Sequence, residues 1–343
     1  MPTQLPSFIK KISDYRYEMF VDNHMLSTFS VCPRMFYYKH IQNIRAKGGP
    51  SFYLSYGIWY HHVMEQFYDR LTEGFDVEQL FVRAAKLWQD ENMNSFRETD
   101  PKRFEKMVGA YGALNVGGEY ETPISALTMV KQYYDNYYEL DRRAWKIISV
   151  ESGFGHEKEV KLGGFANDFC DVDFYYLGRP DLVVEDQNNH IFPVDHKTTD
   201  RIKSGMDDRF KPHSETAGYI YAIQSILGRT EGIDRCVINS CAREIPAKSE
   251  DSRFKRIHPF YSQDELLEWK QSAWEKCRGI FERCFYHEKE WPMHESQCFQ
   301  FNMPCEYHQI DKVRPAARET VIQANFVISD PWSPYKKEVV ENA

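Results

Sequence analysis

Apolar residues recur at helical spacing in the first part of the chain. The run from His24 to Ile44 and the run from Phe52 to Leu71 both carry apolar side chains three and four residues apart, which predicts two helices. Residues 1–22 are polar and predict only a lead-in. Further helices are expected over residues 77–94, 101–116 and 125–140. The first part of the chain, residues 24–142, should therefore be mainly helical.

The pattern changes near Trp145, where short β-rich runs replace the helical period. A strand is expected over residues 146–151, followed by Gly-rich turns. Two runs, 178–184 and 193–199, flank a cluster of turn residues and predict a β-hairpin. The remaining elements are a helix over 213–227, strands near 236–241 and 253–260, a long helix over 264–287 and an irregular end. This order predicts an α/β core with a mixed sheet.

The predicted hairpin carries a compact set of charged side chains. Asp195 and Lys197 are two residues apart, so in a strand both point to one face, while Val194 and His196 point to the other. Asp181 lies on the partner strand. Carboxylates on rigid strands are hard oxygen ligands suited to Mg²⁺ or Mn²⁺. A lysine beside them can hold a water molecule or stabilise charge that builds on phosphorus.

A histidine on the second predicted helix could join these residues. Gly57, His61 and Glu65 are spaced by four, which places them along one face of a helix. The glycine allows close approach of backbone or substrate, and the histidine and glutamate can turn towards a metal. A lone helical histidine is more often a core or surface residue. His61 is nevertheless the residue that we expect at the metal, since His62 points elsewhere on the helix.

Composition narrows the class of protein. The chain has 343 residues with 42% hydrophobic and 15% aromatic content, which indicates a globular protein. Its net charge of −8 argues against a broad basic DNA-binding face but leaves room for a local basic groove. We find no apolar run that could span a bilayer and no secretory segment, so an intracellular, cytoplasmic protein without a membrane partner is expected. The eight cysteines are then expected to be thiols or metal ligands.

Five motifs follow one another along the chain. They are a Ser-x-Cys-Pro-x2-Phe segment within 26–37, the Gly-x3-His-x3-Glu helix, Val150-Glu151, the hairpin with Pro180-Asp181 and Asp195-x-Lys197, and Glu215-x3-Tyr219. In this order, from about residue 24 to residue 310, they resemble the PD-(D/E)XK nuclease superfamily. The most similar branch is the RecB-like one, with AddB proteins, CRISPR-associated adaptation nucleases and phage exonucleases. The resemblance implies a restriction-endonuclease-like fold, a mixed-sheet core flanked by helices with a helical N-terminal insertion.

The resemblance also implies roles for the residues that match its motifs. His61, Asp181 and Asp195 would be ligands of Mg²⁺ or Mn²⁺, together with the backbone carbonyl of His196. Lys197 would be the catalytic lysine.

The resemblance also implies roles for Glu151, Tyr219 and Glu215. Glu151 would support a second metal or orient Lys197, and an ordinary strand glutamate is an equal alternative. Tyr219 and Glu215 would lie on the helix that flanks the site and touch DNA or the lysine. The family usually has glutamine where this chain has Glu215. A carboxylate there would repel phosphate unless it pairs with Lys197 or an arginine.

The cysteines at the two ends form a second candidate site. Many members of this branch hold a 4Fe-4S cluster with one cysteine in the opening helix and three near the end, and Cys32, Cys298 and Cys305 match three of these four positions. The fourth position would fall on Asp311, with His308 nearby. A cluster with one of these as fourth ligand, a zinc site of three cysteines and a histidine, and packed thiols without metal remain three open alternatives.

The functional expectation is a metal-dependent DNA nuclease. By resemblance we expect an exonuclease acting on DNA ends or single strands in recombination, repair, phage DNA processing or CRISPR adaptation. No Gly-x4-Gly-Lys-Ser/Thr motif is present, so unwinding would need a helicase, recombination or adaptation partner. The alternative is a DNA-end-binding assembly subunit with little or no cleavage activity. A small-molecule hydrolase is disfavoured, since no Gly-x-Ser-x-Gly nucleophile motif is found.

We expect residues 1–343 to form one domain of this type. Its parts are a mainly helical region (24–142), an α/β catalytic core (143–290) and a Cys-containing C-terminal segment (291–343) that closes onto the N-terminal helix. Phage origin would agree with this organisation.

Overall fold

The computed structural model describes residues 5–47, positions 57, 60, 61, 64, 65 and 68, and residues 123–152, 160–199, 201–242, 253–286, 291–300 and 303–332. The helices predicted over 77–94 and 101–116 lie outside the described residues. Within the described part of the chain, no helix combines the length and the apolar character needed to cross a membrane.

Short helices and strands alternate along the described chain. In order they are β1 (Ile9–Lys11), β2 (Arg16–Asp22), α1 (Asn23–Val31), α2 (Pro33–Phe36), a π-helical turn (Tyr37–Ile41), β3 (Ile44–Ala46), α3 (Pro123–Ala144), β4 (Trp145–Val150), β5 (Val160–Ala166), β6 (Asp171–Leu177), β7 (Leu182–Asp186), β8 (Ile191–Thr199), α4 (Ser214–Leu227), β9 (Val237–Ala242), β10 (Phe254–Ile257), α5 (Gln263–Phe285), β11 (Phe299–Gln300), β12 (Met303–Pro304), α6 (His308–Asp311), α7 (Arg318–Asn325) and β13 (Phe326–Ile328). The described positions between 57 and 68 are helical and are called the His61 helix.

Two sheets form the centre of the described fold. The first has the order β1-β2-β6-β5, with β2 and β6 parallel, and the second has the order β10-β9-β8-β7-β4, with β8 and β9 parallel. Parallel and antiparallel pairs in both sheets make this the mixed α/β architecture that the sequence predicts. The predicted hairpin is confirmed as β7 and β8, which pair Leu182 with Val194 and Glu185 with Ile191. The strand and helices predicted at 146–151, 125–140, 213–227 and 264–287 are confirmed as β4, α3, α4 and α5.

The prediction of a polar lead-in before residue 23 is wrong. This segment contains β1 and β2, and β2 lies inside the first sheet between β1 and β6. Met19, Phe20 and Val21 are all fully buried, so both faces of β2 are covered. Of the Gly-rich turns predicted after residue 151, those at 153–159 lie outside the described residues, and from residue 160 the prediction is wrong, because β5 and β6 form there. Gly163 has a φ of 147° and lies at a register shift between these strands. This glycine, which suggested a turn, therefore forms part of a β-bulge.

The single helix predicted over 24–44 is divided in the structure. α1 begins after Asp22, whose side chain accepts a hydrogen bond of 2.7 Å from the Met25 amide. It ends at Val31 because Cys32 is extended, with φ −162° and ψ 116°, as the residue before Pro33 prefers. The proline then starts α2, and the chain continues through the π-helical turn into β3.

α4 lies between the two sheets and is buried on both sides. Tyr219 and Ala222 belong to the apolar cluster of the first sheet, whereas Ala217 and Ile220 belong to a cluster on the second. At Gly218 an added Cβ would lie 2.3 Å from Tyr176 Oη, so the helix needs glycine to approach the first sheet this closely. A methyl group there would cost about 1–3 kcal/mol of overpacking.

α3 covers the opposite face of the second sheet through a buried ion pair. Both guanidinium Nη atoms of Arg256 on β10 lie 2.6 Å from the carboxylate oxygens of Asp141, and Tyr133 Oη donates to the same carboxylate at 3.2 Å. Because the charged groups are paired in a fork and satisfied by hydroxyls, burial of this pair is tolerated.

The C-terminal segment predicted to be irregular contains short regular elements. β13 pairs with β3, with Phe326 opposite Ala46. Arg34 donates from Nε to the Trp291 carbonyl oxygen at 2.6 Å. These contacts bring the end of the described chain against its beginning.

Candidate metal centre

The Asp181 carboxylate connects three separate parts of the chain. Its Oδ1 lies 3.0 Å from Nδ1 of His61 on the His61 helix, and its Oδ2 accepts a 2.6 Å hydrogen bond from the His196 amide on β8. The backbone carbonyl of Asp181 accepts a 2.9 Å hydrogen bond from the Glu151 amide, at the end of β4. Asp181 directly precedes β7, and the register that pairs Leu182 with Val194 and with Val150 continues to place Asp181 between Asp195 on β8 and Glu151 after β4.

Glu151 enters the site through an unusual backbone conformation. Its φ is 43°, in the left-handed region that residues other than glycine, asparagine and aspartate rarely adopt. This turn directly after β4 directs the side chain inwards, where it is only 10% exposed and its Oε2 lies 2.9 Å from Arg179 Nε. The alternative of an ordinary strand glutamate on the surface does not describe this residue. A strained backbone at a polar cluster is typical of functional sites.

His61, Glu151 and Asp181 form a group that could hold a metal ion. One ligand atom from each residue lies within 4.8 Å of the others. An imidazole nitrogen and two carboxylate oxygens suit Mn²⁺, and carboxylates suit Mg²⁺. The donor set and its spacing therefore fit a divalent cation. Among the described residues, Asp195 does not belong to this group. Its role as a metal ligand stays a prediction, as does that of the His196 backbone carbonyl.

Lys197 lies between two carboxylates from different elements. Its Nζ is 2.9 Å from Oδ2 of Asp195, two residues before it on β8, and 2.8 Å from Oε2 of Glu215 in the first turn of α4. Asp195 and Lys197 thus share one face of β8, as the strand alternation predicts. Glu215 pairs with Lys197. This pairing meets the condition under which a carboxylate at position 215 is expected not to repel phosphate.

Tyr219 connects α4 to the segment before Asp181. Its hydroxyl donates to the backbone carbonyl of Arg179 at 3.2 Å and lies 3.5 Å from Oε1 of Glu215. Arg179 is a residue that the sequence motifs did not reveal. The only signal was its basic side chain beside Pro180 and Asp181, and nothing in the local sequence links it to Glu151, about thirty residues earlier.

The other face of β8 is aromatic. The His196 ring is buried and its centroid lies 5.8 Å from that of Tyr68, 5.7 Å from Tyr133 and 6.3 Å from Tyr60. Burial lowers the pKa of His196 to about 3, which keeps this ring neutral. The strand therefore separates a charged face towards α4 from an apolar face towards the His61 helix and α3.

Burial and charge change the acidity of the clustered groups. Burial raises the pKa of Glu151 to about 8, with a further contribution from the Asp181 charge, and burial raises the pKa of Asp195 to about 7. For Asp181 burial acts in the same direction, but the His61 charge and hydrogen bond and the His196 contacts outweigh it and lower the pKa. Cation binding at Glu151, whose pKa is raised, would therefore release a proton, whereas Asp181 is already ionised.

The basic groups show the complementary effect. Burial lowers the pKa of Lys197, but the charges of Asp195 and Glu215 outweigh it, so the pKa lies above its ordinary value. Burial also lowers the pKa of His61, and the charge and hydrogen bond of Asp181 raise it further than burial lowers it. Lys197 is therefore a protonated donor rather than a base.

The three end cysteines lie near one another around His294. The Cys32 sulfur accepts from the His294 amide at 3.4 Å, and the Cys298 sulfur lies 3.8 Å from the His294 carbonyl oxygen. Cys305 donates its amide to the Cys298 carbonyl at 2.9 Å across the β11–β12 hairpin. None of the eight cysteines forms a disulfide, which agrees with the prediction that they are thiols or metal ligands.

The predicted fourth ligand of this second site has other partners. Asp311 accepts from Tyr38 Oη at 2.8 Å and from Arg34 Nη1 at 3.3 Å. The His308 ring packs edge-on against Phe299. Two sulfurs bound to one zinc ion are at most about 4.6 Å apart. Among the described residues, the one group of three ligand atoms this close together is that of His61, Glu151 and Asp181, and it includes no cysteine. A zinc site is thus not preformed among these cysteines.

We predict that Glu151→Gln weakens Mn²⁺ binding by at least about tenfold, because the amide keeps the shape of the side chain but removes its charge. Titration calorimetry measures the affinity directly. Glu185→Gln is the matched control, since Glu185 is a sheet carboxylate paired with Lys146 at 3.0 Å and lies outside the cluster. Equal Mn²⁺ affinity for Glu151→Gln and the wild type would contradict the assignment.

This chain matches solved structures of other proteins at low sequence identity and low TM-score. An alkaline exonuclease, LHK-Exo, from Laribacter hongkongensis is 12% identical with a TM-score of 0.26, over 47% of this chain and 68% of that one. The same protein in complex with dAMP is 10% identical with a TM-score of 0.26, over 68% and 96%. The structure of SSO0001 is 9% identical with a TM-score of 0.27, over 75% and 84%.

Sequence comparison gives the decisive match. No curated protein matches this chain. The family model of the PD-(D/E)XK nuclease superfamily matches residues 24–310, which is most of the chain and includes the hairpin and the His61 helix. The mixed sheet flanked by helices agrees with the restriction-endonuclease-like fold of this family. The chain therefore belongs to the PD-(D/E)XK nuclease superfamily.

Proposed function

We propose that this protein is a metal-dependent deoxyribonuclease that degrades DNA from its ends. The observation that carries the proposal is the arrangement at one end of β8. His61, Glu151 and Asp181 offer ligand atoms within 4.8 Å of one another, and Lys197 is held beside them by Asp195 and Glu215. Hard cation ligands next to a fixed ammonium group are what phosphodiester hydrolysis requires.

The proposed roles follow from the chemistry of each side chain. His61, Glu151 and Asp181 would hold Mg²⁺ or Mn²⁺, with Asp195 and the His196 carbonyl as the further ligands that the motif implies. When bound, the cation would lower the pKa of a coordinated water and stabilise charge on the phosphate. The amide of His196 holds Asp181 in its orientation through the 2.6 Å hydrogen bond.

Lys197 would act as a donor of hydrogen bonds and positive charge. Its raised pKa keeps it protonated, so it would orient the attacking water and stabilise the developing charge on phosphorus rather than remove a proton. Its two carboxylate partners restrict its position, and a fixed donor spends little energy on reorganisation during the reaction. Tyr219 supports this arrangement from α4 through its contacts with Arg179 and Glu215.

Action on DNA ends is proposed from the RecB-like order of motifs. We take residues 1–343 as one nuclease domain of this branch, which serves in recombination, repair, phage DNA processing or CRISPR adaptation. The sequence has no nucleotide-binding motor motif, so on duplex DNA the enzyme would rely on frayed ends or on a helicase partner.

We predict that the wild type degrades linear but not closed circular DNA in Mn²⁺ and that EDTA abolishes this activity. Lys197→Met should lower the rate by at least about 100-fold, because it removes the positive charge that stabilises the phosphate. A time course with end-labelled DNA on a gel measures this directly. Lys146→Met is the control, because Lys146 is an exposed lysine of β4 that pairs only at the surface with Glu185.

The outcomes separate the two functions considered. Cleavage of circular DNA would show an endonuclease and contradict the preference for ends. Tight binding to DNA ends without any cleaved product, in the wild type and in both variants, would instead indicate an assembly subunit.

For the end cysteines the contacts favour packed thiols over a bound metal. Asp311, at the expected fourth ligand position, is held by Tyr38 and Arg34 and is only 9% exposed. The ion pair and the β3–β13 pairing would then join the two ends of the chain in place of a cluster. A soft cluster would also lack a fourth thiolate.

We therefore predict that protein purified without oxygen is colourless and contains no stoichiometric iron. Absorption spectroscopy and iron analysis on the same sample measure this. A brown protein with a visible charge-transfer band that is lost in Cys298→Ser would contradict the prediction and establish an Fe–S cluster.

A further inference from the structure

Glu215 adds a negative charge to the place where a phosphate would bind. It is the second residue of α4, and the positive end of the helix dipole favours a charged carboxylate there. Its Oε2 lies 2.8 Å from Lys197 Nζ. A glutamine could make a hydrogen bond of the same length, so the negative charge itself is not needed to hold the lysine.

The charges around Lys197 are unbalanced without a cation. Four carboxylates, those of Glu151, Asp181, Asp195 and Glu215, are connected to the site by contacts of 3.0 Å or less. The permanently basic side chains in these contacts are Lys197 and Arg179. When all four carboxylates are ionised and His61 is neutral, an excess of two negative charges is left. A DNA phosphate would add one more.

The neighbouring elements in the described part of the chain do not remove this excess. Asp22, the N-cap of α1, is another buried carboxylate whose pKa is raised by burial and, in part, by the charge of Glu215. Lys39 and His24 also act on these carboxylates, and the pKa of both is lowered chiefly by burial. One divalent cation, by contrast, would balance the two excess charges, and it would do so next to the reacting phosphate.

We infer that the carboxylate of Glu215 makes DNA binding at this site depend on the divalent cation. This inference rests on the proposed function. The metal-free enzyme repels the DNA backbone, and the loaded enzyme accepts it. Glu215 is thus a specificity-determining residue that keeps an unloaded, inactive enzyme away from DNA. A neutral residue at the same position would leave half of the excess charge and would weaken the discrimination.

The test compares DNA binding with and without a cation. Fluorescence anisotropy with a labelled, blunt-ended short duplex gives Kd in EDTA and in Ca²⁺, which occupies hard oxygen sites and serves to allow binding without cleavage. The measurement is made at about pH 8.5, above the raised pKa values of the site carboxyls, so that their charges are present.

We expect the wild type to bind DNA at least about tenfold more tightly in Ca²⁺ than in EDTA. In EDTA, Glu215→Gln should bind DNA about tenfold more tightly than the wild type does, and in Ca²⁺ the difference between the two proteins should be smaller. Glu215→Ala removes the same charge without the amide and should show the same gain in EDTA. Glu265→Gln is the matched control, since Glu265 lies in the first turn of α5 and pairs with Lys211 at 2.9 Å, away from the site.

Each result decides one question. If the wild type binds and cleaves DNA but Glu215→Gln keeps the wild-type ratio of the two Kd values, the inference about Glu215 is wrong and the nuclease assignment stands. Weaker binding of both Glu215 variants in EDTA would also overturn it, since Glu215 would then contact DNA favourably. If the wild type neither binds DNA in Ca²⁺ nor cleaves it in Mn²⁺, the proposed function itself fails.

Discussion

The whole candidate site depends on the hydrogen bonds made by Asp181. One carboxylate oxygen contacts His61, the other accepts the His196 amide, and the backbone carbonyl accepts the Glu151 amide. These bonds join the His61 helix, β8 and β4 at one point. Because sheet register determines which residue lies opposite which, a shift of one residue in β7 or β8 would turn Asp195 and Lys197 to the wrong face and remove the amide that orients Asp181.

The second constraint is the position of α4 between the two sheets. The helix buries one side on each sheet and approaches the first so closely that only glycine fits at position 218. This close packing brings Glu215 in its first turn to Lys197 and brings Tyr219 to the backbone of Arg179. The charged groups thus lie on rigid elements. Burial raises the pKa values of Glu151 and Asp195, and the charges of Asp195 and Glu215 raise the pKa of Lys197 despite its burial.

Sequence patterns predicted the elements that follow a simple period. The β7–β8 hairpin, α3, α4 and α5 have clear turns or helical spacing, and the pairing of Asp195 with Lys197 follows from strand alternation. β2 was missed because strands covered on both faces lack that alternation. The break at Cys32 follows a rule about residues before proline, which the apolar period concealed. The entry of Glu151 depends on a left-handed φ, and its pairing with Arg179 depends on tertiary folding, so neither has a local signal.

The central claim is that His61, Glu151 and Asp181 converge on one divalent cation. Anomalous diffraction from crystals grown with Mn²⁺ tests it most directly. We expect a strong peak about 2.1 Å from a His61 nitrogen and from oxygens of Glu151 and Asp181, with Lys197 still paired to Asp195 and Glu215. A Mn²⁺ ion bound elsewhere, with these three side chains left uncoordinated at saturating metal, would contradict it.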